Sequence, residues 1–336
     1  GSNTTAGNNT AVGLSALYAN TTGSENTAIG AFALDANTTA NDNVAVGHLA
    51  LSANTTGASN TALGKNALLV STTGGTNTAV GKDALRANTT ASNNTAVGID
   101  ALTANTTGSE NTGIGANALF SSTTASDNVG VGHSALEANT TGAGNTALGK
   151  NSLAANTTAS NNVAVGKNCL AANTTASENT AVGYVSMVAT TTGYANVAVG
   201  YGSMEANTTG QDSVAVGKGA LNANTTGHSN TGCGRAALGN NTTAVNSTAV
   251  GFYALVASTT ADYNTAVGSY AGDSITTGTH NVCLGYNSGS QTNLLTTGGD
   301  NTFLGNYTSG SATGAGGQIA IGYNVQTVGD NQITVG

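Results

Sequence analysis

The sequence predicts an all-β fold, a β-solenoid (β-roll) of about 20 coils, and three observations support this. The motif Asn-Thr-Ala-Val-Gly beginning at Asn9 returns at Asn26 and then with a constant 17-residue period up to Asn281. A 17-residue repeat is too short for a helical-hairpin repeat, which needs about 33 residues or more. Short β-rich runs interrupted by Gly and Asn are typical of strands and turns.

We number each coil from this Asn as position 0, which gives the consensus N-T-A-V-G-x-x-A-L-x-A-N-T-T-G-x-x. The first strand is predicted at positions 0–3. The Gly at position 4 takes the turn, because Gly tolerates positive φ. A second strand is predicted near positions 7–10, and Asn-Thr-Thr-Gly closes the coil. The structural turn glycines include Gly13, Gly30, Gly47, Gly64, Gly81 and Gly98.

Stacking explains the unusual composition of the chain. Neighbouring coils place equivalent residues about 4.8 Å apart. We therefore expect asparagine ladders that bond amide to amide and threonine ladders that bond along the stack. Like charges at this spacing would repel each other, which accounts for a charged fraction of only 7%.

The repeat divides the chain into three parts. Residues 1–8 are a lead-in, and residues 9–297 are the regular 17-residue coils. Residues 298–336 are irregular coils, in which a 20-residue step separates the motif at Asn301 from that at Asn281. The last motif, at Gln332, follows the one at Gln318 after a shorter, 14-residue step.

The predicted core is thin, since each coil offers two large aliphatic side chains and several alanines. Side chains alternate along a strand, and positions 1 and 3 often both carry apolar residues, as at Val44 and Val46. Both faces of the first strand are therefore expected to be at least partly buried. Side-by-side packing of several chains, as a parallel homotrimer, would achieve this. The alternative is a monomeric solenoid with capped ends.

Composition argues against several classes of protein. The 336 residues carry a net charge of −8, whereas a nucleic-acid binder needs a basic surface. The sequence contains no run of 18 apolar residues, so no membrane insertion is expected. Three cysteines in this length are not a disulfide scaffold.

The motif Asn-[Thr/Val]-Ala-[Val/Ile/Leu]-Gly resembles the head repeats of trimeric autotransporter adhesins (YadA-like) and the repeat shafts of bacteriophage tail fibres. The final segment, residues 319–336, has the 14-residue period of the adhesin repeats. The other coils differ from that pattern by three extra residues, the Thr-Thr-Gly loop. The resemblance implies a trimeric, left-handed β-roll with an adhesive or host-recognition role.

Position 5 is the most informative variable position, because it holds six of the seven basic residues and several aromatic ones. One interpretation is that position 5 lies in an exposed turn that tolerates any residue. The other is a linear receptor-binding edge, with glycans stacked on tyrosine rings. The candidate receptor-binding stripe consists of Lys65, Lys82, Lys150, Lys167, Tyr184, Tyr201, Lys218, Arg235 and Tyr286.

No catalytic, metal-binding or cofactor-binding residue is predicted. The four histidines occupy distant coils or different positions, so they do not converge on one site. Cys169, Cys233 and Cys283 replace small residues and are expected to be buried without disulfides. Six acidic residues share position 16 and are expected to be solvated turn residues: Glu25, Asp42, Glu110, Asp127, Glu178 and Asp212.

These observations favour a non-catalytic structural and adhesive fibre module of an extracellular or virion appendage. Its partners would be further copies of the chain and a cell-surface receptor or glycan. One alternative is a subunit of an extracellular filament built by end-to-end stacking. Another is an ice- or glycan-binding solenoid that uses a ladder face, although an adjacent Thr-Thr pair directs only one hydroxyl outward.

Overall fold

The computed structural model describes residues 5–290 and 294–336, so residues 1–4 of the expected lead-in lie outside the described residues. The described residues form 20 strands of three residues each and contain no helix. They belong to two compact units, Gly1–Lys167 (unit 1) and Asn168–Gly336 (unit 2). Each unit is a parallel β-solenoid in which every coil contributes one strand.

Unit 1 contains ten strands: β1 (Thr10–Val12), β2 (Thr27–Ile29), β3 (Val44–Val46), β4 (Thr61–Leu63), β5 (Thr78–Val80), β6 (Thr95–Val97), β7 (Thr112–Ile114), β8 (Val129–Val131), β9 (Thr146–Leu148) and β10 (Val163–Val165). Unit 2 contains the other ten: β11 (Thr180–Val182), β12 (Val197–Val199), β13 (Val214–Val216), β14 (Thr231–Cys233), β15 (Thr248–Val250), β16 (Thr265–Val267), β17 (Val282–Leu284), β18 (Thr302–Leu304), β19 (Ile319–Ile321) and β20 (Ile333–Val335).

Within each unit, neighbouring strands pair in parallel and in the register that the repeat predicts. In unit 1, for example, Ala28 of β2 lies opposite Ala45 of β3, its equivalent in the next coil. In unit 2 the register is kept across the 20-residue step from the motif at Asn281 to the motif at Asn301, where Cys283 lies opposite Phe303. The all-β parallel solenoid with a 17-residue repeat is thereby confirmed. The strands occupy positions 1–3, one residue shorter than predicted.

The prediction of a second strand near positions 7–10 is wrong. These residues form turns, and positions 6 and 8 have positive φ, as in Phe32 (57°) and Leu34 (52°). Alternating left-handed residues cannot form an extended strand. The coils still bond to each other here, since the amide of Leu34 donates to the carbonyl of Ala50 over 3.0 Å.

The core of each unit consists of the alanine at position 2, the small residue at position 7 and the leucine or methionine at position 8. Ala45, Ala50 and Leu51 are examples, and each is fully buried. The large aliphatic at position 3 points the other way, because side chains alternate along the strand. Leu63 and Leu148 are 46% and 48% exposed. In the single chain the inner strand face is fully buried, whereas the outer face ranges from half-buried, as at Val80, to exposed, as at Leu63.

The predicted asparagine ladders are present at positions 0 and 11, where the side chains are fully buried. At position 0, the Oδ1 of Asn94 accepts from the backbone amide of Asn111 over 3.0 Å. The Nδ2 of Asn94 donates to the carbonyl of Gly108 over 2.9 Å. At position 11, the Nδ2 of Asn37 donates to the Oδ1 of Asn20 over 2.9 Å. These bonds satisfy buried amides that would otherwise be costly.

The two threonines at positions 12 and 13 have different environments. The first is half-buried, and its hydroxyl donates to the next coil, as Thr38 Oγ1 does to the carbonyl of Thr55 over 3.2 Å. The second is exposed, as at Thr39 and Thr56. The expectation that only one hydroxyl of each pair points outward is therefore confirmed.

The glycines at position 4 have φ values that only Gly adopts readily, from 128° at Gly13 to 144° at Gly64. Their lack of a side chain also lets the coils approach each other. A Cβ on Gly217 would lie 2.6 Å from the carbonyl oxygen of Gly234 in the next coil. Gly219, two residues later, has a φ of 66° and no atom within 4 Å of the corresponding Cβ position.

Gly217→Ala should therefore lower the free energy of unfolding by at least about 3 kcal/mol, through backbone strain together with a clash that separates two coils. Gly219→Ala is the matched control, and its positive φ alone should cost about 1–2 kcal/mol. Urea denaturation followed by circular dichroism measures both. Equal destabilisation by the two substitutions would contradict the close-approach explanation.

The position 11 ladder is interrupted at Ser122 and Ser258, whereas the hydroxyl of Ser71 still accepts from Asn88 over 3.4 Å. The Oδ1 of Asn105 and the hydroxyl of Ser122 in the next coil are buried without a hydrogen-bond partner. Asn139, one coil further, donates its Nδ2 only within its own coil, to the carbonyl of Gly142. Ser122 thus breaks a chain of amide bonds on both sides.

Ser122→Asn should increase the free energy of unfolding by about 1–2 kcal/mol, because two buried amide bonds are restored. The neighbouring substitution Ser121→Asn, at half-buried position 10, is the control and should change it by less than about 0.5 kcal/mol. Urea midpoints of the two variants test this. A destabilised Ser122→Asn variant would show that the ladder has no room for the larger side chain.

Candidate functional site

All nine residues of the predicted receptor-binding stripe are exposed, each directly after a position 4 glycine. The backbone of these turns is the same from coil to coil, so the side chain at position 5 varies on a constant scaffold. Unit 1 carries Lys65, Lys82, Lys150 and Lys167, and unit 2 carries Tyr184, Tyr201, Lys218, Arg235 and Tyr286.

In unit 1, one of these lysines is engaged with a neighbouring carboxylate. The Nζ of Lys82 lies 3.1 Å from the carboxylate of Asp83. Partial burial acts to raise the pKa of Asp83, but hydrogen bonds from Asn66 and Lys82 together with nearby positive charge lower it. Because the Lys82 side chain is 58% exposed to water, the pair contributes little to stability.

In unit 2, the basic residues lie beside aromatic rings. The Nζ of Lys218 is 5.4 Å from the ring centroid of Tyr201, which itself stacks on Tyr184 at 5.6 Å. The guanidinium of Arg235 is 5.7 Å from the centroids of both Phe252 and Tyr253. These distances fall within the range of cation–π attraction.

A run of aromatic side chains continues along unit 2 from Tyr253. Tyr253 stacks on Tyr270 with centroids 5.9 Å apart, and Tyr270 meets Tyr286 edge-on at 6.2 Å. Tyr286 then meets Tyr307, and Tyr307 meets Tyr323, at 5.3 and 5.9 Å. Desolvation, followed by interactions with its two neighbouring tyrosines, raises the pKa of Tyr307.

The part of this aromatic run that lies at position 6 was not among the residues predicted from the sequence. Tyr253, Tyr270 and Tyr307 all occupy that position. The available signal was their grouping in the last third of the chain, but the sequence does not show that positions 5 and 6 of successive coils alternate in one cluster.

A groove of about 380 Å³ lies at the start of this aromatic run. Its lining includes both cations of the stripe in unit 2 and the first tyrosine, but no carboxylate. The lining residues are Lys218, Gly219, Asn222, Arg235, Ala236, Gly239, Asn240, Tyr253 and Val256. The lining therefore carries two positive charges on a chain whose net charge is −8, and its Asn222 donates a hydrogen bond to the carboxylate of Glu205.

A second groove in unit 2, of about 370 Å³, has a different character. It is lined by threonine, alanine and serine together with Glu178 and Tyr194, and it has no cationic residue. Its only charged lining residue is the acidic turn residue at position 16. The two grooves therefore offer opposite electrostatic environments.

The titratable residues outside the stripe do not form a catalytic cluster in the part of the chain that the structure describes. The six acidic residues of position 16 are exposed turn residues with positive φ, as at Glu25 and Asp127, which confirms their predicted environment. The histidines are exposed, and His280 stacks on Tyr263 at 4.9 Å. Among residues 5–290 and 294–336, no group of three or more His, Cys, Asp or Glu is arranged to hold a metal ion.

The position of each cysteine in the coil determines whether it is buried or exposed. Cys169 and Cys283 are buried as expected, and desolvation, with a smaller effect of Asp273, raises the pKa of Cys283 to about 12. Cys233 is exposed, so the expectation that it is buried is wrong. The reason is its position 3, which points outward from the strand.

Comparison with protein-family models and with curated proteins finds no match. In the described residues, no helix has the length and apolar character needed to cross a membrane.

The Asn-Thr-Thr segments match the acceptor pattern for N-glycosylation, but their asparagines form the buried position 11 ladder. The Nδ2 of Asn54, for example, is buried and donates to Asn37 and to the carbonyl of Gly57, at 3.1 and 2.9 Å. An oligosaccharyltransferase should therefore leave Asn54 unmodified in the folded chain and modify it after unfolding in urea and transfer to assay buffer. Peptide mass spectrometry measures this. Equal modification of the two samples would contradict the buried ladder.

Proposed function

We propose that the chain is a non-catalytic structural and adhesive fibre module of an extracellular or virion appendage, assembled from identical chains packed side by side as a homotrimer. The observation that supports this most directly is the outer face of the strands, formed by positions 1 and 3. Its position 3 side chains remain substantially exposed in the single chain, as at Leu148 and Val267.

The chemistry of this outer face suits burial. Across all coils, positions 1 and 3 carry only threonine, valine, isoleucine, leucine and one cysteine, without a single charged residue. Within each unit the position 3 side chains form an exposed aliphatic row, and exposed apolar surface of this kind is typical of interaction sites. The uncharged rows of one chain meet no electrostatic repulsion from the same rows of another.

The spacing of the outer face favours a second copy of the chain as its occupant. The same two side chains recur at each coil step of about 4.8 Å. A partner that is complementary along many coils must have the same distance between its repeats. A second copy of this chain has that distance because it has the same coils. Closed cyclic symmetry then allows every copy to bury the same face. We propose three copies, the number that the resemblance to trimeric adhesins implies.

The adhesive part of the proposal depends on the variable turn positions. Positions 0, 2, 4, 8 and 11 are nearly uniform, whereas positions 5, 6 and 9 differ from coil to coil. A constant framework with exposed variable side chains is the arrangement expected of a recognition surface. The ice-binding alternative receives less support, because each Thr-Thr pair presents a single exposed hydroxyl row.

We expect light scattering on a sizing column to give the mass of three chains of 32.4 kDa each. Val267→Asp places a charge on the outer face and should shift the mass toward one chain, because burying the carboxylate is costly. Thr260→Asp, at the exposed position 13 of the same unit, is the control and should leave the mass unchanged. A single-chain mass for the unmodified protein would contradict the trimer, and very large concentration-dependent species would favour the end-to-end filament.

Cys233 provides a second measurement, because it lies on the outer face and is exposed in the single chain. In the assembled protein, a maleimide reagent at pH 8 should modify Cys233 at least tenfold more slowly than in the Val267→Asp variant. The buried Cys169 and Cys283 should react in neither sample and serve as internal controls. Equally rapid modification of Cys233 in both samples would show that the face is uncovered.

A further inference from the structure

We propose that the groove around Arg235 binds a carboxylated sugar, such as a uronic acid unit of an oligosaccharide. The inference rests on the adhesive part of the proposed function and names the ligand class that its surface takes. The volume of about 380 Å³ lies within the range of about 300–1,000 Å³ found for small-molecule sites.

The groove exists because three small residues coincide in adjacent coils. Position 6 is Gly219 in one coil and Ala236 in the next, and position 9 is Gly239. Other coils fill these positions with larger side chains, for example Phe32 at position 6 and Phe120 at position 9. The groove thus forms where large side chains are absent, and the coil backbone does not need to change.

Two cations line this depression and determine the sign of the ligand charge. Lys218 and Arg235 occupy position 5 of successive coils, and no acidic residue lines the groove. The planar guanidinium of arginine matches a carboxylate with two parallel hydrogen bonds. The Lys218 ammonium, one coil away, adds a second positive charge for the same anion. A neutral sugar would leave both cations without a counter-charge.

The remaining polar groups suit the hydroxyls of a sugar. The Nδ2 of Asn222 already donates to the carbonyl of Gly202 and to Glu205, at 2.9 and 3.0 Å. Its Oδ1 is therefore the atom of this amide that accepts from a ligand hydroxyl. Asn240 adds a second, exposed amide at position 10, where almost every other coil has alanine or another small residue.

Tyr253 supplies the apolar wall of the groove. Its ring stacks on Tyr270 in the following coil, with an angle of 8° between the ring planes. In the preceding coil the same position is only Ala236, and the group beside the ring on that side is the Arg235 guanidinium, 5.7 Å from the ring centroid. Tyrosine rings combine a large rigid contact area with a polar tip, which suits the apolar face of a pyranose.

The chemistry favours a sugar over a nucleic acid as the source of the anion. A polyanion would gain from two cations but would meet the net negative charge of the rest of the chain. A short oligosaccharide with one carboxylate at the groove gains the same ion pair without that repulsion. Binding of single-stranded DNA, with no binding of any carboxylated sugar, would overturn the proposal.

The test is isothermal titration of the full chain with trigalacturonate, alginate trimannuronate and sialyllactose. The methyl ester of trigalacturonate is the matched neutral ligand. We expect at least one acidic ligand to bind, binding to weaken with added salt, and esterification to weaken it at least tenfold. Failure of all three ligands to bind at millimolar concentration, or equal binding of the ester, would overturn the proposal.

Three variants locate the binding. Arg235→Gln should weaken it at least tenfold, and Gly239→Phe should abolish it by filling the groove with a side chain that position 9 already accommodates at Phe120. Lys150→Gln removes the same charge from position 5 of unit 1 and should have no effect. Circular dichroism confirms folding. Undiminished binding by Gly239→Phe would place the site elsewhere and overturn the proposal.

Parallel mass measurement separates this inference from the fibre proposal. A trimer that binds no carboxylated sugar refutes the groove assignment alone. A single chain that binds it, with loss in the Arg235→Gln variant, refutes the trimer and supports the groove.

Discussion

The constraint on which the rest of the structure depends is the hydrogen-bonded distance between neighbouring coils. Parallel backbone bonds hold the coils about 4.8 Å apart, so each residue lies beside its own equivalents. At position 4 that distance leaves no room for a Cβ, which is why Gly217 and its counterparts are glycine. At positions 0 and 11 it brings one amide within bonding distance of the next, which asparagine can use twice, as donor and acceptor.

The same constraint separates positions that must repeat from positions that are free to differ. An inward side chain packs against the coil before it and the coil after it. A substitution there therefore disturbs the packing of three coils. An outward side chain at position 5, 6 or 9 meets mainly solvent and its own row. The stability of such an array is carried by contacts between neighbouring coils, which tolerate a local interruption such as Ser122. The chain can thus vary its surface without altering its framework.

The sequence predicted what the period alone determines: the parallel solenoid, the first strand, the two asparagine ladders and the orientation of the paired threonines. It did not predict the turns at positions 6–8. An Ala-Leu-x-Ala segment contains no Gly, the residue that would indicate positive φ. Leu34 nevertheless has positive φ, in a turn that hydrogen-bonds to the next coil. The groove was not predicted either. Gly219, Ala236 and Gly239 are separate small residues in the sequence, and only the register of the coils brings them together in one lining.

The balance between core and outer face connects the fold with assembly. Each coil orders its whole repeat, yet it buries one large aliphatic side chain inside and leaves another outside on the strand. In a single chain the hydrophobic gain per coil is therefore small against the conformational entropy that each coil loses. Packing of the outer faces would add a second buried aliphatic row for little further ordering, because the strands already hold it in place. Under the proposed assembly, folding and association therefore stabilise each other, and stability depends on the concentration of the chain.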